Sequence, residues 1–263
     1  MQPWAQVDVP TLPKSTGAPV IYDSGTQGLR ELPTNRTGTI YVCGITPYDA
    51  THMGHAATYV AFDTLIRVWR VSGVEVRYTQ NITDVDDPLI ERALATGKNW
   101  QDIAVEQIAL FQGDMIALRV IPPQNYVGVV EAMELIEQSV VTLLGKGFAY
   151  KVNDDYYYDM SKSNMLGAVS HLTPDQMMTI FAERGGDPNR AGKRNPLDPM
   201  LWRARSGSDP YWPSQLGEGR PGWHIECSAI ATHYLGAQID VQGGGSDLKF
   251  PHHEMSAAHA QSH

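Results

Sequence analysis

The stretch that decides the fold is Thr39–Val60, TIYVCGITPYDATHMGHAATYV. TIYVCG is a short β-rich run that ends in glycine. From Gly54 to Ser72 apolar residues recur at helical spacing, and Gly73 supplies the stop. VEVRYTQNI follows as a second strand. Strand, helix, strand, with a helix of crossover length, predicts parallel neighbours in an α/β sheet. QIDVQGGG, near the other end of the chain, reads as a third core strand running into a glycine turn.

Outward from this core the organisation is uneven. The first 37 residues are rich in Pro, Gly and Thr and predict an arm with at most one short strand, around PVIYDS. Helices are expected over about Trp100–Leu118 and Val127–Leu144, separated by Pro122 and Pro123. FAYKV and DYYYDM predict a hairpin turning at Asn153 and Asp154. Thr173 caps a short helix with Pro174 at its first position. Glu183 to Gly222 has weak periodicity and reads as loop. GWHIECSAIATHYLG returns to helix, and a further helix begins in FPHHEMSAAHAQSH. The expected division is an arm (1–37), a first part of a Rossmann-like catalytic domain (38–149), an inserted loop-rich α+β subdomain (150–222) and a second catalytic part (223–263).

Composition bounds the function. The chain has 263 residues, 42% of them hydrophobic, and a net charge of −9. That balance gives no general nucleic-acid surface. Two distant cysteines make no disulfide scaffold, and no signal pattern or long apolar run is present, so a cytoplasmic chain that does not span the membrane is expected.

In open α/β sheets ligands bind beyond the carboxyl ends of the strands. The three strands end in CGIT, NITD and GGGSD, so these endings line one crevice if the strands are parallel. His52 and His55 open a helix, where free N–H groups suit phosphate; on spacing alone, simple capping is favoured. Asp247 after the glycine turn offers an acceptor for ribose hydroxyls, though three glycines more often make a plain loop. Cys43, Cys227 and His252 offer the elements of a Cys2His set with an open fourth position, but no CxxC pair supports it, and on spacing alone buried, inert thiols are favoured. NITDVDD is a helix cap or a magnesium site, with the cap favoured. MSKS (Met160–Ser163) imitates a lysine loop but precedes the third core strand, and reads as a turn.

Taken together the motifs carry a resemblance. YVCG-T-YD--H-GHA-TYV-FD, NITDVDD, GRPGWHIECSAIA and GGGSDLKFPHHE stand in the order seen in cysteinyl-tRNA synthetases, so from about Thr39 onward the chain resembles a class I synthetase catalytic domain. GITPYDATHMGHAATY and ERGGDP (Glu183–Pro188) are similar to the branch of mycothiol-pathway cysteine ligases. The resemblance implies cysteine activation by ATP, with Mg2+, to a cysteinyl-adenylate, then attack by the amine of glucosaminyl-inositol. It implies one Zn2+ held by Cys43, Cys227 and His252, with His52 and His55 at the triphosphate. Cys43, Gly44, Ile45, Gly243, Gly244, Gly245, Ser246 and Asp247 would lie along the adenylate, and Thr46, Thr58, Asn81, Ile82, Thr83 and Trp223 around the cysteinyl group. Where synthetases commonly carry a second acid, PHHEMS has Ser256, which implies three protein ligands and a place for the substrate thiol. The partners implied are small molecules and no nucleic acid, in a monomer; the rival is transfer of cysteine to tRNA. A lysine loop is absent before His263, so the natural protein is expected to continue or to be processed.

Overall fold

The computed structural model describes residues 1–14 and 17–263; of the N-terminal stretch, Ser15 and Thr16 lie outside the described residues. In chain order the elements are β1 (Val20–Asp23), β2 (Gly28–Glu31), β3 (Gly38–Val42), α1 (Met53–Val71), β4 (Val76–Ile82), α2 (Asp87–Thr96), α3 (Trp100–Ala117) and β5 (Asn125–Gly128). These are followed by α4 (Met133–Gly145), β6 (Ala149–Val152), β7 (Asp155–Tyr158), α5 (Pro174–Glu183), β8 (Met200–Ala204), β9 (Gly219–Pro221), α6 (Trp223–Leu235), β10 (Val241–Gly243) and α7 (His252–Gln261).

Two compact units emerge. The first comprises residues 1–23, 27–131 and 234–245; the second comprises 24–26, 132–233 and 246–263.

The first unit is built on a four-stranded parallel sheet in the order β10-β3-β4-β5. The three strands expected from the sequence are there and parallel. Their registers pair Val42 with both Gln80 and Gly243, so their carboxyl ends finish level. α1 makes the crossover from β3 to β4. Its Tyr59, Ile66 and Trp69 are buried against the sheet at helical spacing. Trp69 also donates from Nε1 to the Pro33 carbonyl at 2.8 Å. Asp86 N-caps α2, as the acidic cluster was expected to do.

Two expectations fail in this unit. The predicted helix Val127–Leu144 begins only at Met133, because Asn125–Gly128 forms a fourth parallel strand, β5, against β4. Tyr126 and Val127 suit a pleated surface, and so short a run does not distinguish strand from helix. The N-terminal stretch forms a β1–β2 hairpin rather than one strand. It also contributes Trp4, whose Nε1 donates to Val120 O at 2.8 Å while its ring meets Phe111 and Tyr126 edge-on.

The second unit is built on an antiparallel sheet in the order β6-β7-β8-β9. The β6–β7 hairpin turns at Asn153, which takes φ 54°, a left-handed value asparagine tolerates. Thr173 closes a capping box on α5 with Gln176. The expected loop from Glu183 to Gly222 contains β8 and β9. Two strands alone are marginal; pairing β8 with β7 and β9 with β8 completes the sheet, although these strands lack a period-2 signal. Met160–Lys162 forms one 3-10 turn, as its place in the chain implied.

Candidate functional site

In the first unit the site is assembled where β3, β4 and β10 end. Cys43 follows β3; its N–H donates to Gly243 O at 3.0 Å and its carbonyl accepts from Tyr59 Oη at 3.1 Å. Cys43 is 4% exposed. Asn81, itself buried, holds the next turn: its Oδ1 accepts from Gly44 N at 2.9 Å and its Nδ2 donates to Thr83 Oγ1 at 3.2 Å. Thr83 N in turn donates to Ile45 O at 3.1 Å. A Cβ on Gly44 would sit 1.7 Å from the Asn81 carbonyl, so only glycine admits this approach. A Cβ on Gly243 would likewise come within 2.7 Å of the Phe62 ring.

The register therefore brings Cys43–Thr46, Asn81–Thr83 and Gly243–Gly245 to one edge. Ile45 and Ile82 send their side chains into the apolar core and leave only backbone for a ligand. Thr58 turns its hydroxyl back to Gly54 O at 3.0 Å, within α1.

His52 and His55 cap α1 reciprocally. His52 Nδ1 accepts from Gly54 N at 3.0 Å, and His55 Nδ1 accepts from His52 N at 3.3 Å. The rings stack with centroids 4.1 Å apart. Capping fixes the tautomer, because an Nδ1 that accepts leaves the proton on Nε2. The bland role and the phosphate role are thus compatible on one ring. The cap orients His52 and leaves its Nε2–H as a donor beside a helix N-terminus.

In the second unit, α6 and α7 carry the other candidates. His252 Nε2 lies 3.2 Å from Cys227 Sγ, with both residues 2% exposed or less. Trp223 stacks on His252 with centroids 4.5 Å apart. His252 Nδ1 is 3.1 Å from His224 Nδ1. If His252 presents a lone pair at Nε2, its Nδ1 carries the proton and His224 Nδ1 accepts it. Burial, then the neighbouring His252 and His259, hold His224 well below the usual imidazole range, which suits a neutral acceptor. Ser256, at the place of the missing acid, donates to His224 O at 2.9 Å. Asp247 follows the glycine turn and pairs with Arg184 at 3.3 Å. Ser246 opens the 3-10 turn Ser246–Lys249.

A soft metal fits this donor set. Cys227 and His252 supply a thiol and an imidazole in contact, in a dry setting, with a tautomer-setting partner behind the ring.

Sequence reasoning missed His224 and Glu254. His224 stands three residues before Cys227 on α6, a same-face spacing that was readable. Glu254 is fully buried and accepts backbone N–H from Gly167 at 2.9 Å, Val169 at 2.9 Å and Ser170 at 2.6 Å. No local pattern announces that contact.

Residues 31–263 match the family described as tRNA synthetases class I (C) catalytic domain. An L-cysteine:1D-myo-inositol 2-amino-2-deoxy-alpha-D-glucopyranoside ligase of Kribbella flavida is 56% identical over 263 residues, covering 99% of this chain and 65% of that protein. Proteins of the same name from Thermomonospora curvata and Salinispora arenicola are each 54% identical, over 99% of this chain and 64% of their own lengths. The chain thus spans just under two thirds of these relatives. Among solved structures, Mycobacterium tuberculosis methionyl-tRNA synthetase in complex with methionyl-adenylate matches with a TM-score of 0.64 at 15% identity. It covers 86% of this chain and 54% of that one, and shows a shared fold.

Proposed function

The chain belongs to the class I tRNA synthetase (C) catalytic-domain family, and on that premise we propose that it is the catalytic part of an ATP-dependent ligase. The ligase joins L-cysteine to the amine of 1D-myo-inositol 2-amino-2-deoxy-alpha-D-glucopyranoside. The cysteine carboxylate attacks the α-phosphorus of ATP, giving cysteinyl-adenylate and pyrophosphate. The sugar amine then attacks the carbonyl carbon, releasing AMP and a proton and forming the amide. The name carried by relatives 54–56% identical over nearly the whole chain supports this acceptor.

The observation that carries the reading of cysteine as substrate is the buried Cys227–His252 contact. In the proposal Cys43 joins this pair as a third ligand. Two features support that assignment: Cys43 is a buried thiol tied through its N–H to Gly243 O, and His252 follows Gly243 by only a short stretch of chain. Bound there, zinc would supply a soft Lewis acid that prefers a thiolate to a hydroxyl, separating cysteine from serine where shape alone gives about 10–200-fold. Ser256, occupied with His224 O, leaves the metal three protein ligands.

The chain's other residues have binding and orienting roles. The N-terminus of α1 and the Nε2–H of His52 and His55 meet the triphosphate and the charge that develops on it. Gly243–Gly245 admit the adenosine, and Ser246 and Asp247 hold its ribose. Asn81 keeps the Gly44–Thr46 backbone against β4, with Thr46, Thr83 and Trp223 bordering the cysteinyl group.

The full-length protein, supplied with cysteine, ATP and each acceptor in turn, tests the reading. Amide formation on the amino sugar and cysteine-dependent pyrophosphate exchange are expected, with one zinc per chain by metal analysis. Charging of tRNA without amide formation would favour the tRNA synthetase and overturn the ligase.

A further inference from the structure

Cys43 has a side-chain partner that its motif does not announce. β10 and β3 run parallel with Gln242 opposite Tyr41. Partners across a parallel pair point to the same face, and so does the residue two positions further along a strand. Gln242 and Cys43 are therefore diagonal neighbours on one face of the sheet. The N–H of Cys43, bonded to Gly243 O, holds that register where the strands end. The result is a hydrogen bond from Gln242 Nε2 to Cys43 Sγ at 3.3 Å. Among the described residues it is the one side-chain hydrogen bond Gln242 makes, on a residue otherwise open to solvent.

An amide N–H aimed at sulfur acts differently on a thiolate and on an inert thiol. Against a thiolate the bond is charge-assisted. It fixes the side-chain rotamer, stabilises the anion and draws electron density from the sulfur. Groups that hydrogen-bond a metal ligand from behind tune both its affinity and its donor strength.

We propose that Gln242 is a positioning residue for the Cys43 thiolate: its amide orients Sγ toward the metal and weakens it as a donor, so that the metal keeps enough acceptor strength to take the substrate's thiolate. This rests on the zinc reading above. It assigns a role in cysteine recognition to a residue in the DVQGGG strand whose neighbours, the glycines, were assigned only to the nucleotide.

The purified chain can be titrated with zinc against a chromophoric chelator and with cobalt(II) by absorption. Gln242→Met keeps the length of the side chain and removes the donor; Gln242→Glu replaces the donor with a charged acceptor; Gln242→His restores an N–H. The zinc dissociation constant is expected to rise about 10-fold in Gln242→Met, and further in Gln242→Glu. The sulfur-to-cobalt charge-transfer band should move to longer wavelength in both, because an unbonded thiolate gives up its electron more easily. Gln242→His should return both readouts toward the parent.

Thermal melts of the metal-free variants, unchanged from the parent, exclude a general loss of structure, which an exposed position predicts. Equal affinity and an unmoved band in Gln242→Met and Gln242→Glu would overturn the proposal while leaving the metal reading intact. A parent chain that binds neither zinc nor cobalt would overturn both.

Discussion

The two units deliver their candidate residues by different physics. In the parallel-sheet unit Cys43, Asn81 and Gly243 reach the site because three strands end in register. Placement is a backbone matter, locked by Gly44 N to Asn81 and Thr83 N to Ile45. In the antiparallel-sheet unit Cys227 and His252 sit on two helices, and their placement depends on side chains held by other buried side chains. His224 backs His252, Ser256 ties α7 to the His224 carbonyl, and Glu254 clasps the 167–170 loop.

Both units bury large apolar side chains, Ile40, Val42 and Trp69 in the first and Ile136, Leu201 and Trp202 in the second. In the second, short strands are reinforced by polar contacts such as Tyr150–Asp198, and by Tyr157 and Lys193 converging on Asp187. Burial and the hydrogen bond to Asp187 push the Tyr157 hydroxyl up, out of the titrating range, so it donates throughout. A register-built site should fail by steric misfit and a side-chain-built site by loss of polar partners.

The largest effect is expected where one carboxylate satisfies three donors. Glu254→Ala leaves three backbone N–H groups without their acceptor and should cost about 4 kcal/mol of unfolding free energy in denaturant titrations. Loss of under about 1 kcal/mol would mean that water replaces the carboxylate and that the 167–170 clasp is not structural.

Next comes the register side of the comparison. Gly44→Ala places a methyl group on the Asn81 carbonyl, a backbone atom that cannot swing away. About 3 kcal/mol of destabilisation is expected by the same titration. A near-neutral result would show that the β3–α1 turn is plastic, and the contrast with the second unit would be lost.

His52→Asn separates two roles of one ring. Asparagine still accepts from Gly54 N as a good N-cap, so the melting temperature should hold. The outward Nε2–H is lost, and cysteine-dependent pyrophosphate exchange should fall about 100-fold. A fall in stability with unchanged exchange would return His52 to a purely capping role.

The smallest effect, taken per ring and per pH unit, is graded and accumulates on acidification. Burial pushes His259 down to about 3 and His253 down to about 4. Folded, these rings stay neutral; unfolded, they take up protons below about 6.5. The unfolded state then binds more protons, so stability rises with pH across that window and is lost on acidification. The expected slope is about 1.4 kcal/mol per pH unit for each such ring. Asp84 in the first unit works in the opposite sense: burial raises its carboxyl, so it contributes less stability at neutral pH than in acid. Unfolding curves at pH 6, 5 and 4 read the sum, and replacing His259 by Phe should flatten the slope.

Much of this was legible in one dimension. The strand–helix–strand core showed in the hydrophobic period of residues 39–82, and the caps at His52, Asp86 and Thr173 showed in residue type and position. Other elements left no such trace. β5, β8 and β9 are three to five residues long, and runs of that length carry too few positions for either period to declare itself. The Glu254 clasp and the Gln242–Cys43 bond join residues 84 to 87 and 199 positions apart.

The amino-acid sequence alone determined which chemistry is available: two thiols, a set of histidines, a glycine turn and the order in which they occur, since these are properties of residue type and spacing. Only the tertiary structure decided how each group is presented. It set Asn81 as a latch, Ile45 and Ile82 as core, His224 as the partner behind His252, and Gln242 as the donor to Cys43. The reason is that hydrogen bonds and burial act through space at a few ångströms, and sequence separation carries no record of that distance.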